Sequence, residues 1–202
     1  MLSLNADFAP LKVIRWEEAV EKIVDQKAIA VENYDAAFVR SARLVIPWPA
    51  VVALRKYRTI RGRVKFSASN VAARDRWTCC YCGVQPRLLD GRPDRSALTL
   101  DHVIPRAHAE HATVYVPWAK AQVNVTSWLN SLCSCKSCNA RKGDRTPSQA
   151  GMHMLSIPRT PTQNDVMRMH LARMRTIPAP WRAYIPGLWD EPVAIGEAHA
   201  VR

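Results

Sequence analysis

The sequence predicts an α+β fold, and three observations predict it. Short apolar runs with strand-like alternation mark residues 1–66, two Cys-x-x-Cys pairs bracket the middle of the chain, and helical periodicity returns after residue 160. The 202 residues suffice for one compact domain with its own core, with or without a small appendage. Hydrophobic residues make up 48% and glycines number 7, which marks an ordinary globular chain and excludes a disordered or low-complexity one.

Residues 1–16 read as short strands around a turn at Pro10. Over residues 17–26, Val20, Ile23 and Val24 share one helical face. KAIAVEN (residues 27–33) reads as a strand, and LVIPWPAVVALRKY (residues 44–57) as a strand or extended entry followed by a short helix. VKFS (residues 64–67) reads as a strand, and Ser69 or Asn70 can cap a short helix running into Arg74 and Asp75. RTPSQAGMHML (residues 145–155) opens on a Thr-Pro pair suited to a helix N-terminus. Residues 163–175 predict a basic amphipathic helix with Met167, Leu171 and Met174 inward, and the proline-rich tail from Ile177 is expected to wrap the surface. The expected division is an N-terminal α+β region (residues 1–66), a cysteine-bearing core (67–150) and a helical or extended tail (151–202).

Lysine and arginine exceed aspartate and glutamate by 29 to 17, a formal charge of +12. A chain this basic meets a polyanion, and nucleic acid is the commonest; an anionic membrane surface or a ribosome-type structural role are the competitors. Arg55, Lys56, Arg58, Arg61, Arg63 and Lys65, with Tyr57 among them, form the densest basic run and the best candidate for tracking a DNA backbone. Arg106, Lys136, Arg141, Lys142 and Arg145 form a second group, and Arg168, Arg173 and Arg175 a third. The chain opens without a basic start and apolar run, and its longest uncharged apolar stretch, Leu44 to Leu54, is too short to span a membrane. A soluble, cytoplasmic protein with no membrane partner is therefore expected. Thiols stay reduced in that compartment, so six cysteines in two clusters suggest a metal rather than disulfides.

Cys79 and Cys82 form one C-x-x-C pair, and Cys135 and Cys138 the other. Each spacing lets two thiolates reach one ion, and together they predict a tetrahedral, four-cysteine structural Zn²⁺. Gly83 permits the left-handed backbone such a turn needs. Cys80 and Cys133 offer competing C-x-C spacings; the C-x-x-C register is geometrically easier, so these two are assigned to the core as small apolar thiols.

Between the pairs, LTLDHVIPR places Asp101 and His102 at the end of a strand-like run, with Asn130 downstream and Asn139 directly after Cys138. The segments RDRWTCCYCG, LTLDHVIPR, SWLN and CKSCNARKGDRTPSQAG together resemble the bacterial stand-alone HNH endonucleases that carry a four-cysteine zinc. The resemblance covers residues 74–151 and implies a ββα-metal (His-Me finger) nuclease core of H-N-N type, with His102, Asn130 and Asn139 at the signature positions. It implies hydrolysis of DNA, by nicking or double-strand cleavage, leaving 5′-phosphate and 3′-hydroxyl ends. His102 would act as general base, since imidazole titrates near neutrality. Asp101 and Asn139 would offer hard oxygen ligands to Mg²⁺ or Mn²⁺. Asn130 would hold the loop and orient His102. Double-stranded DNA is the implied partner, and a homodimer would decide between nicks and double-strand breaks. A zinc-stabilised nucleic-acid-binding protein without cleavage activity is the alternative. The His102–Asn130 interval is longer than the family's and free of glycine; Asn124 is a second candidate for the middle position, and Asn130 is preferred because it lies five residues before Cys135. Within that insertion, His108 and His111 could form a second metal site or bind phosphate, although exposed residues on a flap are the plainer reading.

Overall fold

Leu2 and Leu4 are both fully buried, and they set the position of the first strand, β1 (Leu2–Leu4). The computed structural model describes residues 1–59, 64–89, 91–174 and 176–187. It divides into two units, Met1–Gly62 with Val166–Arg202, and Arg63–Asp165.

In the first unit, β1 turns at Asn5 to Ala9 into β2 (Pro10–Val13). A helix, α1 (Trp16–Val24), and two long strands, β3 (Ala28–Arg40) and β4 (Val45–Leu54), follow. The sheet order is β2-β1-β4-β3, with β1 antiparallel to β2 and parallel to β4, and β3 antiparallel to β4. Helix α1 buries Ala19, with Ile23 beside it, against Leu11, Ile14, Val52 and Leu54. Val24, expected on that face, is 55% exposed. The strand expected over residues 44–57 runs to Leu54 with no helix after it, because Leu54 still pairs with Ala28 and the Arg55 N–H donates to the Lys27 carbonyl. Pro47 and Pro49 are accommodated because β1 pairs with β4 only over Val51–Ala53, so one side of β4 needs no N–H donor at the prolines.

In the second unit, VKFS is not a strand. Ser67 caps α2 (Ala68–Arg74), its hydroxyl accepting from the Asn70 N–H, two residues earlier than the first of the expected caps. Four strands and one α-helix follow: β5 (Leu98–His102), β6 (Thr113–Val116), β7 (Ala121–Asn124), β8 (Ser131–Cys135) and α3 (Lys136–Lys142). Strands β5 and β8 are antiparallel neighbours, with Leu98 opposite Cys135 and His102 opposite Ser131. Strands β6 and β7 form a separate hairpin, so the glycine-free insertion has its own order: Val114, Val116 and Val125 make a small core under Trp118. Residues 146–151 close as turns and not as the expected helix, ending at Gly151 in the left-handed region (φ 63°).

Arg74 knits this unit together. Its guanidinium is buried, pairs with Asp75 at 2.7 Å, and donates to the carbonyls of Trp128, Ser131 and Arg159, while Asp75 accepts the Cys133 N–H. One ion pair thus satisfies backbone groups from four places along the chain.

Helix α4 (Gln163–Leu171) and a 3-10 turn at Ala179–Tyr184 complete the described chain. Within the described residues, the tail from Ile177 packs inward and does not simply wrap the surface. Met167, Leu171, Ile177, Trp181 and Ile185 form one core with Leu2, Leu4, Ala50, Val51 and Ala53 of the first unit, and the Trp181 indole N–H donates to the Ala50 carbonyl at 2.9 Å. The expected three-part division therefore becomes two units, because the apolar residues of the tail bury against β1 and β4. Among the described residues no helix is long and apolar enough to cross a membrane. Trp181→Ala is expected to cost about 3–5 kcal/mol by chemical denaturation, the value for a buried aromatic; a surface residue would change stability by less than about 0.5 kcal/mol.

Candidate functional site

The two C-x-x-C pairs come together. The sulfurs of Cys79, Cys82, Cys135 and Cys138 all lie within 4.8 Å of one another, within reach of one metal ion. The Cys82–Cys135 separation is 3.8 Å, which matches the edge of about 3.8 Å that a tetrahedron of about 2.3 Å Zn–S bonds requires. The first pair sits in a turn closed by the Gly83 N–H on the Cys79 carbonyl, with Gly83 at φ 74°. The second pair bridges β8 and α3: Cys135 caps the helix, its sulfur accepting the Cys138 N–H at 3.4 Å, with the Ser137 hydroxyl 3.2 Å away. Burial opposes ionisation of Cys135, yet the Ser137 and Cys138 hydrogen bonds bring its thiol down to about 6. A closed set of four converging sulfurs fits a structural zinc.

Cys80 and Cys133 stand apart from that set. Burial, reinforced by neighbouring acidic and thiol groups, pushes the Cys80 thiol up, and burial with the Asp75 carboxylate pushes Cys133 up to about 12. Both are neutral core thiols, and the Cys80 N–H donates to the Cys133 carbonyl at 2.9 Å.

Asp101 and His102 are adjacent in β5 and therefore face opposite ways. Asp101 faces inward and is 4% exposed. One of its oxygens accepts the Tyr81 hydroxyl at 2.5 Å, and the other accepts the Lys142 ammonium at 3.0 Å. Lys142 also donates to the His102 carbonyl at 2.8 Å. Burial and then the Asp101 charge push the Tyr81 hydroxyl up, so it stays a donor. His102 is half-buried, and its Nε2 lies 3.1 Å from the Thr126 hydroxyl. Burial lowers its pKa; Arg106 and Lys142 act the same way, against the Asp101 carboxylate. The ring is held neutral at neutral pH, the form that accepts a proton.

Asn130 is fully buried. Its carbonyl oxygen accepts the Ile104 N–H, and its amide donates to the carbonyls of Ile104 and Val125. The two bonds to Ile104 brace the backbone just after His102, and the third ties it to Val125. Asn124 is exposed at the end of β7 and bonds the Thr126 N–H. Asn139 lies in α3, half-buried, one residue beyond Cys138.

Lys142, expected among the DNA-contacting cations, is the correction. It is wholly buried and spends its charge on Asp101. Desolvation explains this: an ammonium withdrawn from water needs a carboxylate beside it. Cys135, Cys138 and Lys142 follow one another at i, i+3 and i+7, so a buried face of α3 was readable in that spacing. Tyr81, inside the first cysteine pair, and Thr126, in the insertion, carried no such signal. Of the other predicted basic residues described, Arg55, Lys56, Arg58, Lys65, Arg106 and Arg141 are exposed, and Arg168 is half-buried. Arg61 and Arg63 lie outside the described residues, as does Arg175. His108 and His111 are exposed, and among the described residues no second cluster of three or more His, Cys, Asp or Glu ligand atoms forms.

A family model described as "HNH endonuclease-associated, N-terminal domain" matches residues 1–62. The match places the chain in an HNH-endonuclease context, and it ends before the cysteines and Asp101 begin. No curated protein and no solved structure matches the chain.

Two outcomes are expected. Cys82→Ser or Cys138→Ser should lose bound zinc by elemental analysis and lose stability, while Cys80→Ser keeps one zinc per chain; equal loss in all three would overturn the register. Lys142→Ala should cost about 3–5 kcal/mol in a denaturant titration, because it leaves a buried carboxylate without its partner.

Proposed function

We propose that the chain is a metal-dependent HNH endonuclease that hydrolyses DNA phosphodiester bonds, with β5, β8 and α3 as a ββα-metal core and the four cysteines holding a structural zinc. The observation that carries this reading is His102: a neutral imidazole at the end of β5, half-open to solvent, beside Thr126, with Asn130 bracing the turn that follows. His102 takes the proton of the attacking water, and Asn130 is a positioning residue that fixes the backbone His102 stands on. General-base help of this kind is worth about 10²–10⁴ in rate.

Asp101 and Asn139 supply the hard oxygens for one Mg²⁺ or Mn²⁺. Both Asp101 oxygens are engaged here, one by the Tyr81 hydroxyl and one by the Lys142 ammonium, so an ion held by Asp101 would take the place of that ammonium. Once bound, the ion supplies a Lewis acid for the phosphate and the leaving oxygen. Arg106 and Arg141, both exposed, flank this region and hold the scissile phosphate, while Arg55, Lys56, Arg58 and Lys65, with Arg61 and Arg63, follow the DNA backbone. The products carry 5′-phosphate and 3′-hydroxyl ends. One such site cuts one strand at a time, so a double-strand break takes two copies. A cytoplasmic location follows from the reduced thiols that the zinc site needs.

The test is nicking of supercoiled plasmid with Mg²⁺ or Mn²⁺. Wild-type protein is expected to cleave, and His102→Ala to lose cleavage by about 10² or more while keeping its zinc and its circular dichroism spectrum. Retained DNA binding with no cleavage in any divalent ion would favour a zinc-stabilised binding protein.

A further inference from the structure

We propose that the first unit carries a second site, apart from His102 and built on Arg55, Lys56 and Arg58 of the run assigned above to the DNA backbone: a pocket for a nucleoside phosphate. A cavity of about 800 Å³ lies within this unit, a volume within the range of about 300–1,000 Å³ typical of small-ligand sites. Six cations line it from four separate segments: Lys12 of β2, Lys22 of α1, Lys27 after α1, and Arg55, Lys56 and Arg58 beyond β4. Folding, not sequence adjacency, gathers them. Two carboxylates offset part of this charge. Glu18 takes Lys12 at 2.8 Å and Lys22 at 3.2 Å, and Asp25 takes Lys27 at 2.7 Å. Arg55, Lys56 and Arg58 then form no ion pair among the described residues. Like charges gathered at one opening repel each other, and an anion between them relieves that repulsion.

The arginine-bearing segment is also held in place before any ligand arrives. Asn5 bonds both the N–H and the carbonyl of Arg58, at 2.8 and 2.9 Å, and the Arg55 N–H reaches the Lys27 carbonyl at 3.0 Å. A pinned backbone spares the ordering cost that a free loop would meet on binding.

The rest of the lining narrows the ligand. Leu11, Leu54 and Val166 give the cavity an apolar floor. Ser3 lines it too, and its hydroxyl is fully buried without any hydrogen-bond partner. Buried hydroxyls are ordinarily satisfied, so this one points to a polar group supplied from outside. A cationic rim suits a phosphate; the floor suits an uncharged body larger than inorganic phosphate; the hydroxyl suits a polar edge on that body. A nucleoside carrying a phosphomonoester meets all three. Its source is either a free mononucleotide or the 5′-phosphorylated end of a strand.

Calorimetric titration of the full chain tests this, in a His102→Ala background so that cleavage plays no part. The probes are AMP, adenosine, and one short oligonucleotide with either a 5′-phosphate or a 5′-hydroxyl end. One-to-one binding of AMP, absent with adenosine, identifies a free nucleotide. Binding that needs the 5′-phosphate on the oligonucleotide, with none of AMP, identifies a strand end. In either case Arg55→Ala combined with Arg58→Ala should weaken binding about tenfold or more, and Arg43→Ala, on the exposed β3–β4 connection, should leave it unchanged. The proposal is overturned if adenosine binds as well as AMP, if the oligonucleotide binds equally with either end and AMP not at all, or if the Arg43 variant loses as much as the double variant. The plasmid assay reads His102 separately, so failure of one proposal leaves the other standing.

Discussion

A lysine buried in the second unit has to be neutralised, and much of the local architecture is the answer to that demand. Lys142 is fully enclosed, and Asp101 is the carboxylate that meets it. An uncompensated ammonium in that position would cost several kcal/mol. Because strand residues alternate faces, turning Asp101 inward turns His102 outward. The same ammonium bonds the His102 carbonyl, so the pair fixes β5 against α3 along both side chain and backbone. Tyr81 completes the enclosure by donating to the second oxygen of Asp101, which ties the first cysteine turn to the same point.

The cysteines divide by environment. Four sulfurs converge within reach of one ion, with Cys135 favoured as a thiolate by the Ser137 and Cys138 donors; two lie apart among apolar and acidic neighbours that keep them protonated, Cys80 and Cys133. Four-sulfur convergence fixes where α3 begins, and Lys142 fixes where it ends against β5. A seven-residue helix has little intrinsic stability, so these two anchors supply what its length does not.

Much of this was legible from local pattern. The cysteine spacing announced the metal ligands, and the alternation before Asp101 announced β5. Helix α1 was legible in position, but Ala19 rather than Val24 turned out to face the sheet, since tertiary packing selects among several apolar residues on a short helix. Non-local features were not legible. Nothing in LVIPWPAVVAL says that β1 would pair with β4 in parallel, or that the prolines would fall outside the stretch β1 pairs with. The spacing of Lys142 with Cys135 and Cys138 hinted at a buried face, but its carboxylate partner lies 41 residues away, and no local pattern names it. Tyr81 and Thr126 bear on the site through single contacts that no spacing encodes.

The first unit is built from both ends of the described chain, with the second unit between them in sequence. During synthesis, β1 through β4 leave the ribosome with their inner face uncovered, and Trp181 and Ile185 arrive only after the whole second unit has been made. At about 5–20 residues per second, that is a wait of several seconds to tens of seconds. The second unit, contiguous from Arg63 to Asp165, can fold during that interval. Order of appearance and order of completion are thus reversed: the part of the chain made first is finished last, and its exposed strands Leu2–Leu4 and Val51–Ala53 are the stretch a chaperone would have to shield.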